Sequence, residues 1–224
     1  MKSQIKGRVF WVGLTDWDDH LPGEGPVLHF HKSASYNSYL ILGDYSLLID
    51  TVAKNFTDTF VENLSREISI QDLYGIILSC GKSDHVGAAP RIIEINPNIN
   101  VYVSEAEAKR VRRLLGPQAH IIPVHSGDHL DEPDFSIEFF EAEPFKGRKS
   151  LFSYIKEERV LFSGYATEYL LKDLLDKPYG GNWVSQTANA SLGKLLRSRF
   201  AEKMGSGVNP DIVCTNHGTP MYMF

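Results

Sequence analysis

The sequence has little cysteine and no long hydrophobic run, and each lack excludes a class of protein. Cys80 and Cys214 are its two cysteines in 224 residues, too few for a disulfide scaffold, so reduced thiols are expected. No apolar run approaches the roughly 18 residues that cross a membrane. The basic start Met1–Arg8 has no apolar segment of signal-peptide length. We therefore predict a cytoplasmic protein without a membrane partner.

Charge of either sign is also moderate. Lysine and arginine number 23 and aspartate and glutamate 28, for a net charge of −5, which argues against an extended nucleic-acid surface. The length and the 42% hydrophobic content are typical of one globular domain with a sizeable core. The cluster Arg110, Arg112 and Arg113 is interpreted as a solvated helix face.

Strand and helix patterns recur in both halves of the chain. Residues 8–13 are β-branched and aromatic and predict a strand, and the apolar spacing of 55–68 predicts a helix. A second helix over 104–115 begins with a capping box formed by Ser104 and Glu107. The later half predicts strands at 121–124, 135–141, 151–156, 159–163 and 211–215, and helices at 167–175 and 191–203. Helices placed between groups of strands predict an α/β fold, a four-layer αββα sandwich, with one domain over residues 1–224.

One loop contains candidate metal-binding side chains. The segment Leu78-Ser-Cys-Gly-Lys-Ser-Asp-His-Val-Gly87 follows the apolar stretch 74–79, which predicts a buried strand. A strand that runs into a short loop bearing Asp84 and His85 is typical of a metal site. His217 follows the predicted strand 211–215 in the same way.

Further landmarks, in chain order, are Trp11–Asp18, Ser35–Ile41, Leu48–Thr51, Ser126–Leu130, Phe140–Ala142, Leu161–Ser163 and Asn216–Gly218. Together with the loop they resemble the flavodiiron protein family, over about residues 9–218. The resemblance implies a metallo-β-lactamase-like domain that holds two irons and is usually followed by a flavodoxin domain with FMN. Such proteins reduce oxygen or nitric oxide, and relatives without flavodoxin are oxygen-binding diiron proteins in sensing.

The resemblance also implies six iron ligands, not all of which are kept. In chain order, this sequence has at those positions Cys80, Lys82, Asp84, Lys146, Tyr165 after Gly164, and His217. Two of the six implied ligands, an aspartate and a histidine, remain. We therefore predict a degenerate diiron site.

Three states of the degenerate site are open. In the first, no metal binds, and Lys82 and Lys146 converge on Asp84 in a salt-bridge cluster, because a positive charge near a divalent ion opposes binding. In the second, one iron or zinc binds to Asp84, His85 and His217, as in metallo-β-lactamase-type hydrolases, although the flavodiiron pattern leaves the equivalent of His85 outside the metal shell. In the third, the lysines bind a small anion.

The functional prediction follows from this altered site. We predict a non-catalytic binding, sensory or assembly module, with a mononuclear oxygen-sensing, oxidoreductase or hydrolase domain as the alternative. No FMN is expected, because the chain ends six residues after Gly218. The resemblance implies a homodimer and a redox or signalling partner protein. Cys80 is interpreted as a buried thiol that fills the space of a histidine, rather than as a nucleophile activated by Lys82.

Overall fold

The computed structural model of the protein describes residues 2–16, 34–145, 148–164, 198, 204 and 207–223. The strands in these residues are β1 (Ser3–Lys6), β2 (Val9–Trp11), β3 (Leu14–Asp16), β4 (Ala34–Tyr36), β5 (Tyr39–Ile41), β6 (Ser46–Ile49), β7 (Leu73–Leu78), β8 (Asn100–Ser104), β9 (His120–Val124), β10 (His129–Glu132), β11 (Phe135–Phe145), β12 (Arg148–Ile155), β13 (Val160–Gly164), β14 (Ile212–Thr215) and β15 (Met221–Tyr222). The helices are α1 (Thr57–Ser65), α2 (Ser83–Val86), α3 (Ala89–Ile95) and α4 (Glu105–Leu115), with 3-10 turns at Lys54–Phe56 and Ile70–Asp72.

Two mixed sheets form the framework. The first has the order β1-β2-β5-β6-β7-β8-β9 and the second the order β10-β11-β12-β13-β14-β15, while β3 and β4 form a separate ribbon. Strands β6 to β9 are parallel neighbours, and β13 and β14 are parallel in the second sheet. Because β6 and β7 share a direction, their carboxyl ends and the loops after them lie at one edge.

The hydrophobic core has three parts, as a layered sandwich requires. One cluster lies where α1, α3 and α4 cover the first sheet and includes Phe60, Ile92 and Val111. A second cluster lies between the two sheets and includes Ile77, Phe139 and Phe162. A third lies on the second sheet's other face, where Met204 packs against it. The predicted α/β sandwich is confirmed, and no helix of the described ranges is both long and apolar enough to cross a membrane.

The predicted first strand, over residues 8–13, extends too far at its carboxyl end. Strand β2 stops at Trp11, and the chain bends before β3 joins the separate ribbon. Gly13 permits the bend, because a Cβ atom there would lie 2.2 Å from the carbonyl oxygen of Tyr36. Residues 9–16 therefore contain two strands, β2 and β3, in two different sheets.

The predicted capping box of α4 is also wrong. No side-chain hydrogen bond caps the amino end of this helix, and the Ser104 hydroxyl is buried without a hydrogen-bond partner among the described residues. The Glu107 carboxylate instead accepts a hydrogen bond from the Gly81 N–H at 3.2 Å. The glutamate thus holds the loop that follows β7, a tertiary contact that replaces the local one. The helices predicted at 167–175 and 191–203 lie, apart from residue 198, outside the described residues.

Candidate metal centre

The loop between β7 and α2 is fixed by its backbone. The N–H groups of His85 and Val86 both donate to the carbonyl of Lys82 at 3.1 Å, which closes the first turn. Thr51, just after β6, donates to the His85 carbonyl from its N–H at 2.8 Å and from its hydroxyl at 2.7 Å. The ends of the two parallel strands therefore hold His85 in one position.

Asp84, His85 and His217 come together although Asn216, the neighbour of His217, is 131 positions from His85 in the sequence. One ligand atom from each side chain lies within 4.8 Å of the other two. Asp84 Oδ2 is 3.5 Å from His217 Nε2 and 3.8 Å from His85 Nε2. Ligands bound at about 2.1 Å to one ion, at tetrahedral or octahedral angles, are roughly 3.0–3.5 Å apart. The three atoms are thus spaced for a single ion after a small closure.

His217 is held in one tautomer. Its Nδ1 is hydrogen-bonded to the carbonyl oxygen of Ser35, and because a carbonyl only accepts, Nδ1 carries the proton. The Ser35 hydroxyl accepts from the Gly218 N–H at 2.7 Å, and the Tyr36 ring packs edge-on to the imidazole at 5.8 Å. In the neutral ring the lone pair of Nε2 therefore faces the Asp84 carboxylate at 3.5 Å, an arrangement that a cation between them satisfies.

His85 is buried, with 1% of its surface exposed. Its Nδ1 contacts the side-chain amide of Asn216 and lies 3.5 Å from Asp50 Oδ2. The Asn216 amide nitrogen also lies 3.4 Å from Nε2, and Nε2 lies 3.8 Å from Asp84 Oδ2. Nε2 can bind a metal ion in the tautomer whose Nδ1 proton is directed to the Asp50 carboxylate, because the Asn216 amide is itself a donor.

Asp50 organises the floor of the site. It is buried, and its backbone adopts a φ of 53°, a conformation that non-glycine residues rarely hold. One carboxylate oxygen accepts from the Ser79 N–H and the other from the Asn216 amide, both at 2.8 Å. The carboxylate thus ties the end of β6 to the end of β7 and to the segment that carries His217.

Asn37 connects that segment to the first sheet. Its amide donates to the carbonyls of Thr215 at 2.9 Å and Gly218 at 2.8 Å, and its oxygen accepts from the Trp11 indole at 2.9 Å. The Asn37 N–H also donates to the Asn216 carbonyl at 2.8 Å. Three hydrogen bonds from one buried residue therefore set the position of the backbone on both sides of His217, and the fourth connects that residue to Trp11.

Cys80 and Lys82 occupy the beginning of the loop. Cys80 is buried, as the sequence interpretation expected. Burial, and next the charge of Asp50, raise the pKa of its thiol well above the ordinary value of 9.0, although Lys82 lowers it to a smaller extent. Lys82 itself is half-buried. The loop therefore presents a neutral thiol and a cation close to the candidate ligands.

Gly164 ends β13 close to the same place. It has a φ of +53°, and a Cβ atom there would lie 2.8 Å from the Ser150 hydroxyl and 2.9 Å from Ser79 Cβ. A carboxylate side chain does not fit at this residue. Lys146 and Tyr165, the other two altered ligand positions, lie outside the described residues.

Several residues of the site were not assigned a role from the sequence: Ser35, Asn37, Asp50 and Asn216. Each lies within a quoted landmark, and a polar residue directly after a strand was the available signal for Asp50 and Asn216. Their function depends on contacts between the ends of different strands, which one sequence does not show.

Comparison with known proteins shows the superfamily to which this chain belongs. The Metallo-beta-lactamase superfamily pattern matches residues 34–198, and the chain belongs to this superfamily. Its curated relatives include the anaerobic nitric oxide reductase flavorubredoxins of Vibrio vulnificus and Salmonella typhi. Each is 28% identical over 97% of this chain, which spans 46% and 48% of their respective lengths.

Solved structures show which known proteins share this fold. Rubredoxin oxygen:oxidoreductase of Desulfovibrio gigas aligns with a TM-score of 0.77 at 18% identity, over 100% of this chain and 58% of its own. The Giardia intestinalis flavodiiron protein aligns with a TM-score of 0.72 at 19% identity, over 99% of this chain and 56% of its own. The domain is therefore flavodiiron-like in its fold, and the chain spans about half the length of these relatives.

Proposed function

We propose that this flavodiiron-like domain is a binding or sensory module that takes one divalent metal ion, iron or zinc, on Asp84, His85 and His217, and that it forms no diiron centre. The observation that carries the proposal is the convergence of three ligand atoms within 4.8 Å of one another. Two histidines and one carboxylate are a ligand set that holds iron or zinc with open positions.

The residues around this triad do not fit a second ion. Burial raises the pKa of the Cys80 thiol, which opposes formation of the thiolate that binds metal. Lys82 adds a positive charge to the same loop, and two like charges at 4 Å oppose each other by about 4 kcal/mol at an effective dielectric of 20. Gly164 has no space for a bridging carboxylate. Oxygen or nitric oxide reduction, named for the relatives, is accordingly not proposed for this domain.

A metal-free module is the second candidate. The half-buried Lys82 supports it, because an internal cation near Asp84 can replace an ion electrostatically. In that form the pocket would bind a small anion or serve only in assembly with a partner protein. We further propose a cytoplasmic homodimer with a redox or signalling partner, as the resemblance implies. Sedimentation of the purified protein tests the dimer.

Metal titration separates these candidates. Protein stripped with chelator and titrated anaerobically with ferrous iron, or with zinc, is expected to bind close to one equivalent. Asp84→Ala and His217→Ala should abolish this binding, whereas Asp58→Ala, an exposed acid on α1, should not alter it. Lys82→Ala should tighten binding, and Lys109→Ala, on the exposed side of α4, serves as its control.

Each outcome has one reading. Two equivalents per chain would refute the proposal and restore a diiron centre. No bound metal at saturation would leave the metal-free module as the function. One equivalent that survives His217→Ala would place the ion elsewhere.

A further inference from the structure

Two edge strands lie on one side of the sandwich. Strand β9 is the last in the order of the first sheet and β10 is the first in the order of the second, and residues 125–128 connect them. The rings of Tyr102 in β8 and Phe139 in β11 stack with centroids 6.3 Å apart, so the two sheets face each other at this side. Among the described residues, β9 and β10 each pair with a single strand. Soluble proteins normally cover or protect such open edges.

The exposed cations of helix α4 border this side. The helix packs against β8 and β9, and its Glu107 accepts a hydrogen bond from the Gly81 N–H after β7 at 3.2 Å, so the Glu107 flank faces β7. With about 3.6 residues per turn, Lys109 and Arg112 project from the opposite flank, toward β9, and Arg113 faces away from the sheet. This basic group (Lys109, Arg112 and Arg113) is exposed and forms no ion pair within the part of the chain that the structure describes.

Carboxylates are crowded near the turn that follows β10. Ser136 donates hydrogen bonds to two of them, from its hydroxyl to Asp131 at 2.5 Å and from its N–H to Glu157 at 3.0 Å. Burial, and next the charge of Asp131, raise the pKa of Glu132. This acidic group (Asp131, Glu132 and Glu157) forms no ion pair with a described residue and outnumbers the exposed Lys156 beside it. Like charges held this close favour cations from outside.

The two charged groups lie at the same end of the molecule. Strands β8 and β9 are parallel, and α4 returns between them, so Arg112 and Arg113 lie near the start of β9. The turn at His125 and Asp128, closed by a 3.1 Å backbone hydrogen bond, sends β10 back from the end of β9. Asp131 therefore lies near the level where β9 starts. The basic group belongs to the outer helix layer and the acidic group to the second sheet.

This placement makes the side complementary to itself. A twofold axis parallel to β9 and β10 puts the helix layer of one copy opposite the second sheet of another and keeps both groups at one level. We propose that this side is the interface between two copies of the chain, in which the basic group of each copy contacts the acidic group of the other. Every contact then forms twice, as twofold symmetry requires. The interface belongs to the homodimer proposed above and depends on it.

Charge reversal tests the interface by sedimentation of the full chain. The first variant carries Arg112→Glu and Arg113→Glu, and the second carries Asp131→Lys and Glu157→Lys. Each alone should raise the Kd of the dimer about tenfold or more, because like charges then face each other. An equal mixture of the two variants should form heterodimers with nearly the wild-type Kd, because every facing pair is again opposite in charge. Misfolded variants would not regain association on mixing.

Arg66→Glu with Arg91→Glu is the matched control, because both arginines are exposed, at the end of α1 and in α3, and should leave the Kd unchanged. The wild-type dimer should also weaken as the salt concentration rises, since exposed ion pairs are screened. If both reversed variants dimerise like the wild type, or if their mixture does not associate, this interface is wrong while the homodimer stands. A wild-type chain that stays monomeric would refute the homodimer and the interface together.

Discussion

Replacement of Asn37 by alanine should both destabilise the protein and loosen the segment that carries His217. The side chain makes three hydrogen bonds, to Trp11, Thr215 and Gly218, and alanine removes all of them. The Thr215 carbonyl keeps a second donor, the Tyr39 hydroxyl at 2.7 Å, and the exposed Gly218 can bind water. The loss of each hydrogen bond therefore lowers the free energy of unfolding by about 1 kcal/mol, the low end of the cost of an unsatisfied buried group, and the three together lower it by about 3 kcal/mol.

Urea unfolding followed by circular dichroism measures this difference. A change of about 3 kcal/mol in the free energy of unfolding corresponds to roughly 6–12 °C in the melting temperature of a domain of this size. Asn55→Ala is the matched control, because Asn55 is exposed in the turn before α1 and should change stability by less than about 0.5 kcal/mol.

Asn37→Asp tests the direction of the hydrogen bonds. Aspartate keeps the shape and the acceptor for Trp11 but replaces two donated hydrogen bonds by an oxygen that faces two carbonyls. At pH 7 this variant should be at least as unstable as Asn37→Ala. If both variants unfold at the wild-type urea concentration, the assignment of Asn37 as the anchor of the His217 segment is wrong. A lower metal affinity in Asn37→Ala would connect the anchor to the proposed function.

Three other predictions concern the same region. Gly164→Ala should lower the free energy of unfolding in urea by about 2 kcal/mol or more, because alanine disfavours a φ of +53° and its Cβ would contact Ser150. Gly207→Ala, with open space around the residue, should not change it. Equal stability of the two variants would contradict this prediction. Burial raises the pKa values of Cys80 and Cys214 above 9.0. The contribution of the two thiols to stability is therefore complete below pH 9 and decreases as the pH rises toward the folded-state pKa values. Both thiols should resist alkylation in the native protein at pH 8, and rapid labelling of either would refute its burial. Purified protein supplied with a flavodoxin and its reductase should not consume oxygen or nitric oxide, and sustained turnover that is lost in His217→Ala would show that the site is catalytic.

Much of the fold could be predicted from the local pattern of the chain. Apolar and β-branched stretches marked several of the strands, and helical spacing over 55–68 marked α1, although the helix in the structure, Thr57–Ser65, is shorter. The strands predicted at 151–156 and 159–163 correspond to β12 and β13, which pair antiparallel. These features depend on residues near each other in sequence, so one sequence carries the information.

Predictions from local patterns were wrong where a residue distant in sequence offered an alternative hydrogen-bond partner. Ser104 and Glu107 have the spacing of a capping box, but Glu107 binds the Gly81 N–H instead. A carboxylate on the first turn of α4 can reach either its own helix or a neighbouring loop. The loop after β7 lies within reach only because β7 and β8 are parallel neighbours, which the spacing of two residues cannot reveal.

The sequence by itself determined the fold class, the family resemblance and the identities of Asp84, His85 and His217, because strand periodicity and motif order are written along the chain. Only the tertiary structure decided which atoms of these residues face one another and what fixes them. Ser35, Asn37, Asp50 and Asn216 come from the ends of separate strands, and they orient the two histidines through hydrogen bonds between residues as far as 182 positions apart. Such contacts exist only once two sheets have packed, since the free energy that holds them comes from burial of the core between and around those sheets.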